Sequence, residues 1–117
     1  MTAVMSPGRI RELVAVLPET AEGAHHGHPD FRIGNRIFAT LSEREDRVAL
    51  RLTHIEARAL AERSPKAFRL VSDREPIGWV SLDLAEADEG EVADLLEEAW
   101  SLRQSEVERT KASRRKR

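Results

Sequence analysis

Apolar and polar side chains alternate with a period of two along residues 31–52. This pattern predicts three short antiparallel strands with one buried face, because successive side chains of a strand point to opposite faces. Gly34 and Asn35 are expected to form the first hairpin turn, since both residues tolerate a positive φ. The polar residues 42–46 are expected to form the second turn.

Two further strands are predicted over residues 67–71 and 78–84, with a turn at residues 72–76 between them. Residues 19–30 show no periodicity and are expected to form a loop that leads into the first strand. The pattern therefore predicts an α+β domain with a five-stranded antiparallel sheet. Its expected element order is α-β-β-β-α-β-β-α, with the helices mainly on one face of the sheet.

Three amphipathic helices are predicted from their end signals and apolar spacing. The first begins after the capping residue Ser6 and ends before Pro18, since proline cannot continue the hydrogen-bond ladder. The second follows a capping box made by Thr53 and Glu56. The third is capped by Asp88 and carries an apolar stripe.

The alternation assigns each strand residue to one of two faces. The face expected to meet the helices carries Phe31, Ile33, Ile37, Ala39, Leu41, Val48, Leu50, Leu52, Phe68, Leu70, Val80, Leu82 and Leu84. The open face is expected to carry Arg32, Arg36, Phe38, Thr40, Arg47, Ala49, Arg51, Arg69, Val71, Trp79, Ser81 and Asp83. Arginine and aromatic surfaces bind phosphates and stack on bases. This composition is also typical of an ordinary solvated face whose arginines pair with nearby carboxylates.

The chain has 117 residues, a length that predicts one domain with a single core. It contains no cysteine, which excludes disulfides, thiol nucleophiles and cysteine metal sites. No apolar run approaches the ~20 residues of a membrane helix, and the first residues lack the apolar block of a signal peptide. We therefore expect a cytoplasmic protein without a membrane partner.

Charge is distributed unevenly, although the net charge is only −2. Residues 1–108 carry 13 basic and 21 acidic side chains, a net charge of −8, whereas residues 109–117 carry six basic side chains and no acidic one. We interpret residues 1–108 as the folded domain and residues 109–117 as a basic tail. Such a tail attracts phosphate, and it is also typical of a solubilising helix end.

The sequence lacks the usual signatures of catalysis and metal binding. It contains no phosphate-binding P-loop, no HExxH and no GxSxG motif, so we expect neither an enzyme nor a bound cofactor. His25, His26 and His28 lie in the predicted loop, but structural metal sites draw their ligands from separated segments. We expect a solvated loop, or a histidine that contacts a ligand, rather than a metal site.

The order of the elements and several short phrases resemble the MmcQ/YjbR family of small bacterial proteins. The phrases are GHP at residues 27–29, GNRIFA at residues 34–39, LRL at residues 50–52 and GWV at residues 78–80. The resemblance covers residues 10–109 and implies a fold similar to CyaY and to type III secretion chaperones. Family members are described as DNA-binding proteins with a double wing of hairpins, which implies wing tips at residues 42–46 and 72–76.

The resemblance and the predicted open face together predict a non-enzymatic DNA-binding protein. Both implied wing tips are rich in acidic side chains and would gain little from counterion release. The expected contact residues therefore lie on the open face and in the tail: Arg32, Arg36, Arg51, Arg69, Trp79, Arg114, Arg115, Lys116 and Arg117. The alternative is a protein-interaction module, either chaperone-like or self-associating through the open sheet.

Overall fold

A computed structural model describes residues 5–115 as an α+β fold built on one open antiparallel sheet. In chain order the elements are α1 (Pro7–Ala15), β1 (Thr20–His25), β2 (His28–Ile33), β3 (Arg36–Leu41), β4 (Arg47–Thr53), α2 (His54–Arg63), β5 (Phe68–Arg74), β6 (Ile77–Asp83), a 3₁₀ turn (Leu84–Glu86) and α3 (Glu89–Arg115). The strand order across the sheet is β1-β2-β3-β4-β6-β5, so β1 and β5 form its edges.

The sheet has six strands, so the prediction of five strands was wrong. The loop predicted over residues 19–30 instead contains β1 and the start of β2, which pair as an antiparallel hairpin. His26 and Gly27 form the turn of this hairpin, and both have a positive φ. The period-two pattern does not detect β1, because β1 is an edge strand in which no side chain is fully buried. The predicted element order therefore lacked one strand before α2.

The three predicted turns differ in their outcome. The turn at Gly34 and Asn35 is confirmed, and both residues have a positive φ. The turn at residues 42–46 is confirmed, and the Ser42 hydroxyl accepts hydrogen bonds from two backbone amides at its end. β5 extends to Arg74, so the turn predicted at residues 72–76 consists only of residues 75–76, which a cis peptide bond joins. The second implied wing tip is therefore much shorter than expected.

A β-bulge in β3 reverses the predicted faces of three neighbouring residues, Arg36, Ile37 and Phe38. Arg36 was predicted on the open face, but it pairs with the buried Ile33 and therefore lies on the side of the sheet that meets the helices. Phe31 pairs with Ala39 and Arg32 pairs with Ile37, which leaves Phe38 as the extra residue. Phe38 is fully buried in the core, although it was predicted on the open face. Ile37 was predicted in the core but lies on the open face, where it lines a cleft. A bulge adds one residue without changing composition, so alternation alone does not reveal it.

The core lies between one face of the sheet and the helices. The predicted strand residues that are buried there are Phe31, Ile33, Ala39, Leu41, Val48, Leu50, Leu52, Phe68, Val80 and Leu82. α3 adds Val92, Leu95, Leu96 and Ala99 at helical spacing, as its apolar stripe predicted. Leu70 was also predicted in the core, but it is 37% exposed on the edge strand β5.

The predicted helix starts are confirmed by their caps. The side chains of Ser6, Thr53 and Asp88 each accept a hydrogen bond from the backbone amide three residues further on. The Glu56 side chain makes no return hydrogen bond to the Thr53 amide among the described residues, and its carboxyl group instead interacts with that of Glu98 in α3. A carboxyl pair therefore lies between α2 and α3.

This carboxyl pair predicts a pH-dependent stability. Burial, together with the hydrogen bond and charge of Glu98, raises the pKa of Glu56 from 4.5 to about 7. The folded protein retains a proton that the unfolded chain loses near pH 4.5, so the free energy of unfolding falls as the pH rises from about 4.5 to about 7. We expect E56Q to raise the melting temperature at about pH 8 and to change it little at about pH 4.5.

Thermal unfolding followed by circular dichroism at both pH values measures this difference. E62Q, at an exposed position of the same helix, is the matched control and should show no such pH dependence. An equal effect of E56Q at both pH values would contradict the assignment.

Gly78 allows α2 to approach β6 closely. A Cβ atom at this position would lie 2.8 Å from the Cβ of Ala57 and 2.9 Å from the Cα of His54. We expect G78A to lower the free energy of unfolding by ~1–3 kcal/mol, because the helix must shift to admit a methyl group. Urea unfolding measures the change. G8A is the control, since a Cβ at Gly8 would meet only the Ser6 hydroxyl at 3.8 Å, and an equal loss in G8A would show that Gly78 has no special role.

Candidate functional site

The open face of the sheet carries most of the polar residues that the alternation placed there. Arg51 pairs with Trp79 across β4 and β6, and Ala49 pairs with Ser81, so each pair shares this face. Arg47 donates to the Ser81 hydroxyl at 2.7 Å and lies 3.8 Å from the Asp83 carboxylate. The open face is therefore ordered by its own hydrogen bonds and is not a row of free cations.

Arg32 lies on the open face and is paired with a buried carboxylate. Its Nε and Nη2 atoms donate to Asp30 at 2.7 and 2.9 Å, and Nδ1 of His25 lies 2.9 Å from the same carboxylate. Asp30 is fully buried, and the hydrogen bond from Arg32 holds its pKa below the usual value. An unpaired carboxylate would be costly at this depth. Arg32 therefore neutralises Asp30. The sequence did not predict this pair, because Asp30 was assigned to a loop and not to a strand.

Arg51 is paired with a residue of α3 that the sequence analysis did not single out. Its Nη1 and Nη2 atoms donate to the Glu106 carboxylate at 2.7 and 3.2 Å, and Arg51 is only 8% exposed. Arg103 donates to the same carboxylate at 3.1 Å. Burial acts to raise the pKa of Glu106, but the hydrogen bonds and charges of both guanidinium groups outweigh it and lower the pKa.

Arg103 reaches the open face where two strands stop pairing. β3 and β4 pair only over Ala39–Leu41 and Val48–Leu50. Beyond this ladder, Nε of Arg103 donates to the carbonyl oxygen of Ile37 at 2.8 Å. Arg103 and Glu106 continue the apolar stripe of α3 at helical spacing. This change from apolar to charged residues along one helix face is the sequence feature that could have identified both as site residues.

Two clefts flank Trp79 on the open face. The first has a volume of about 440 Å³ and is lined by His25, Ile37, Thr40, Ala49, Val71, Ser72, Trp79 and Arg103. The second has a volume of about 510 Å³ and is lined by Arg51, Ser72, Arg74, Ile77 and Trp79. No carboxylate among residues 5–115 lines either cleft. Both clefts therefore combine an indole with guanidinium groups and hydroxyls.

A third cleft, of about 540 Å³, lies at the end of α3 and is lined by Arg36, Glu106, Arg109, Thr110, Ser113 and Arg114. The α3 residues of this set recur at intervals of three and four, so they share one face of the helix. Nη2 of Arg36 lies 3.4 Å from the Thr110 hydroxyl, which joins β3 to the helix. A Cβ at Gly34, whose φ is +57°, would lie 2.8 Å from Val107, so the β2–β3 turn also packs closely on α3.

We call the exposed cations around the third cleft the basic end: Arg36, Arg109, Lys111 and Arg114. Lys111 lies 3.8 Å from Glu108. Within the part of the chain that the structure describes, the three arginines form no ion pair with a carboxylate. Of the other predicted contact residues, Arg69 is exposed on β5 away from this end. Lys116, Arg117 and the side chain of Arg115 lie outside the described residues.

Residues 5–115 contain no group of three histidine or acidic side chains placed to hold a metal ion. The His25 ring centroid lies 5.8 Å from that of His26 and 6.1 Å from that of His28. Over the same residues, no helix combines the length and the apolar character that a membrane crossing requires.

Comparison with known proteins gives two matches. The crystal structure of protein DR2400 from Deinococcus radiodurans, described with the domain DUF419, is similar in fold with a TM-score of 0.74. The identity is 18%, and the alignment covers 87% of this chain and 81% of that one, so this likeness shows the fold alone. No match was found among curated proteins. The family model YjbR matches residues 15–102, which is well over half of the chain. The chain therefore belongs to the YjbR family, as its sequence phrases had suggested.

Proposed function

We propose that this protein is a non-enzymatic DNA-binding module that contacts the phosphate backbone through its basic end. The observation that carries the proposal is the convergence of Arg36 from β3 with Arg109 and Arg114 from α3 on one cleft. The Thr110 and Ser113 hydroxyls line the same cleft. Arginine guanidinium groups and hydroxyls are the usual protein contacts to phosphate oxygens.

Electrostatics favour this end over the rest of the surface. Residues 1–108 carry a net charge of −8, which repels a polyanion at long range. Glu106 lines the cleft at the basic end, but it already accepts hydrogen bonds from Arg51 and Arg103, and Glu108 lies 3.8 Å from Lys111. Each cation that contacts a phosphate releases condensed counterions. Binding should therefore be concentrated at one end of the molecule.

The proposed set of DNA-contacting residues is smaller than the set predicted from the sequence. Arg32 and Arg51 are committed to Asp30 and Glu106, so neither guanidinium is free for a phosphate. The wing tip implied at residues 42–46 also forms an ion pair within the chain, because Glu45 pairs with Arg11 at 2.7 Å. We therefore place the interface at the basic end, with the remaining tail residues as its continuation.

The shape of α3 fits this role. Its 27 residues span about 40 Å, and beyond the buried Val107 all side chains from 108 to 114 except Thr110 are exposed. The last turns of the helix therefore extend past the sheet in a molecule measuring 53 × 27 × 27 Å. An α-helix is narrow enough to enter the DNA major groove. Contacts to the backbone alone would give binding with little sequence preference.

A salt titration of duplex DNA binding tests the proposal. We expect R36Q/R109Q/R114Q to weaken binding at least about tenfold at ~50 mM salt. The slope of log K against log salt should also flatten by about 0.9 for each phosphate that the variant no longer neutralises. Fluorescence anisotropy with a labelled duplex at ~50 and ~200 mM salt measures both quantities.

R44Q/R63Q/R69Q is the matched control, since it removes three exposed arginines elsewhere and gives the same net charge. It should leave the slope nearly unchanged. A chain ending at Glu108 should behave like the first triple variant. Equal weakening in both triple variants, or no binding of any duplex at ~50 mM salt, would rule the proposal out.

Protein interaction is the second candidate function, and the edge strand β5 favours it. Leu70 is 37% exposed and Val71 is 59% exposed on this edge. A β-bulge falls between Leu70 and Ser72, so Val71 has no partner in β6. Adjacent exposed apolar side chains on a strand edge are typical of a surface that pairs with another chain.

If β5 joins two copies of this chain, L70S/V71S should sediment as a monomer at concentrations where the wild type is a dimer. Sedimentation velocity over a concentration series measures this change. V16S is the control, because Val16 is 78% exposed on a different element. A wild type that stays monomeric throughout would contradict self-association through β5.

A further inference from the structure

The centre of the open face carries more positive charge than its own carboxylate neutralises. Arg51 and Arg103 share the single carboxylate of Glu106, and their side chains are only 10% and 19% exposed. Burying an uncompensated cation is costly, so an anion bound beside it would be stabilised. Burial and the neighbouring charge of Arg51 also lower the pKa of Arg103. No residue of the basic end lines either cleft beside Trp79.

Arg103 has hydrogen-bond donors left for such an anion. Its Nε donates to the Ile37 carbonyl and its Nη1 donates to Glu106. Nη2 of Arg103 makes no hydrogen bond with any residue from 5 to 115, although a guanidinium group bonds an anion through paired N–H groups. Arg103 also lines the first cleft beside Trp79, so its cationic side chain borders an open cavity.

The first cleft offers a planar apolar surface next to this cation. Trp79, Ile37, Val71 and the small side chain of Ala49 all line the cleft. Aromatic rings stack favourably on an indole. Thr40 supplies a hydroxyl within the same cleft. The site therefore combines a stacking surface with donors for negative charge.

We propose that the open face binds a small planar aromatic anion, with its ring against Trp79 and its carboxylate or phosphate group on Arg103. The cleft volumes of about 440 and 510 Å³ match those of small-molecule sites. Arg74 and the Ser72 hydroxyl line the second cleft, on the other side of the indole, and they extend the same positive surface. The occupant is a small molecule, and the inference does not depend on DNA binding.

Heteronuclear NMR tests this site with probes of defined chemistry. The probes are adenosine monophosphate and 2-naphthoate as aromatic anions, adenosine as an uncharged aromatic, and inorganic phosphate as an anion without a ring. We expect both aromatic anions to shift the Trp79 indole N–H and the Ala49 amide saturably. Adenosine and phosphate should bind at least about tenfold more weakly, because each lacks one half of the interaction.

Trp100 is an internal control in the same spectra, since its indole Nε1 donates to the Pro18 carbonyl at 3.0 Å away from the clefts. R103Q should weaken both aromatic anions about tenfold, whereas R44Q, with the same charge change in an exposed turn, should not. R103Q also removes a hydrogen bond to Ile37, so A49L provides a second variant, which places a larger side chain in the lining of the cleft without a change of charge. A49L should abolish binding in a protein whose remaining spectrum is unchanged.

The outcomes distinguish a carboxylate ligand from a phosphate ligand. Binding of 2-naphthoate alone identifies a carboxylate ligand, and binding of adenosine monophosphate alone identifies a phosphate ligand. If neither probe shifts Trp79, or if R103Q and R44Q weaken the probes equally, the site does not exist. R36Q/R109Q/R114Q should bind the probes as well as the wild type does. Shifts confined to Arg36 and Thr110 would assign the probes to the basic end and overturn the inference.

Discussion

The salt bridges of Glu106 are the interaction that connects α3 to the open face of the sheet. Its carboxylate accepts hydrogen bonds from Arg51 of the central strand β4 and from Arg103 of its own helix. Without Glu106, the guanidinium of Arg51 would remain almost completely buried and unpaired, and breaking a buried pair in this way costs about 3–5 kcal/mol. The polar contact therefore holds the middle of α3 against the sheet and keeps the Arg51 guanidinium paired.

α3 serves three regions of the molecule because it is long. Its first turns bury Val92 and Leu96 in the core, its middle places Arg103 beside the open face, and its last turns carry Arg109 and Arg114. The core fixes the rotation of the helix, so residues three and four positions further on must face the same side. The two candidate sites are consequently positioned by apolar packing that lies elsewhere.

Most of the fold could be predicted because its signals are local. Period-two alternation identified five of the six strands, and capping residues such as Ser6 and Asp88 marked the helix starts. Alternation did not predict the edge strand β1, because an edge strand need not alternate. It did not predict the bulge at Phe38, because a bulge shifts the pattern by one residue. The site was less predictable, because Glu106 and Arg51 lie 55 residues apart and only the tertiary fold joins them.

The last turns of α3, which extend past the sheet, are less stable than the part of the helix that packs on the core. Beyond Val107 the helix buries little apolar surface, so its last turns depend on local hydrogen bonds more than on the core. Amide hydrogens there should exchange with solvent long before those of β4, without global unfolding. Related chains can therefore lengthen, shorten or recharge this segment at little cost to folding, while the sheet that carries it stays the same.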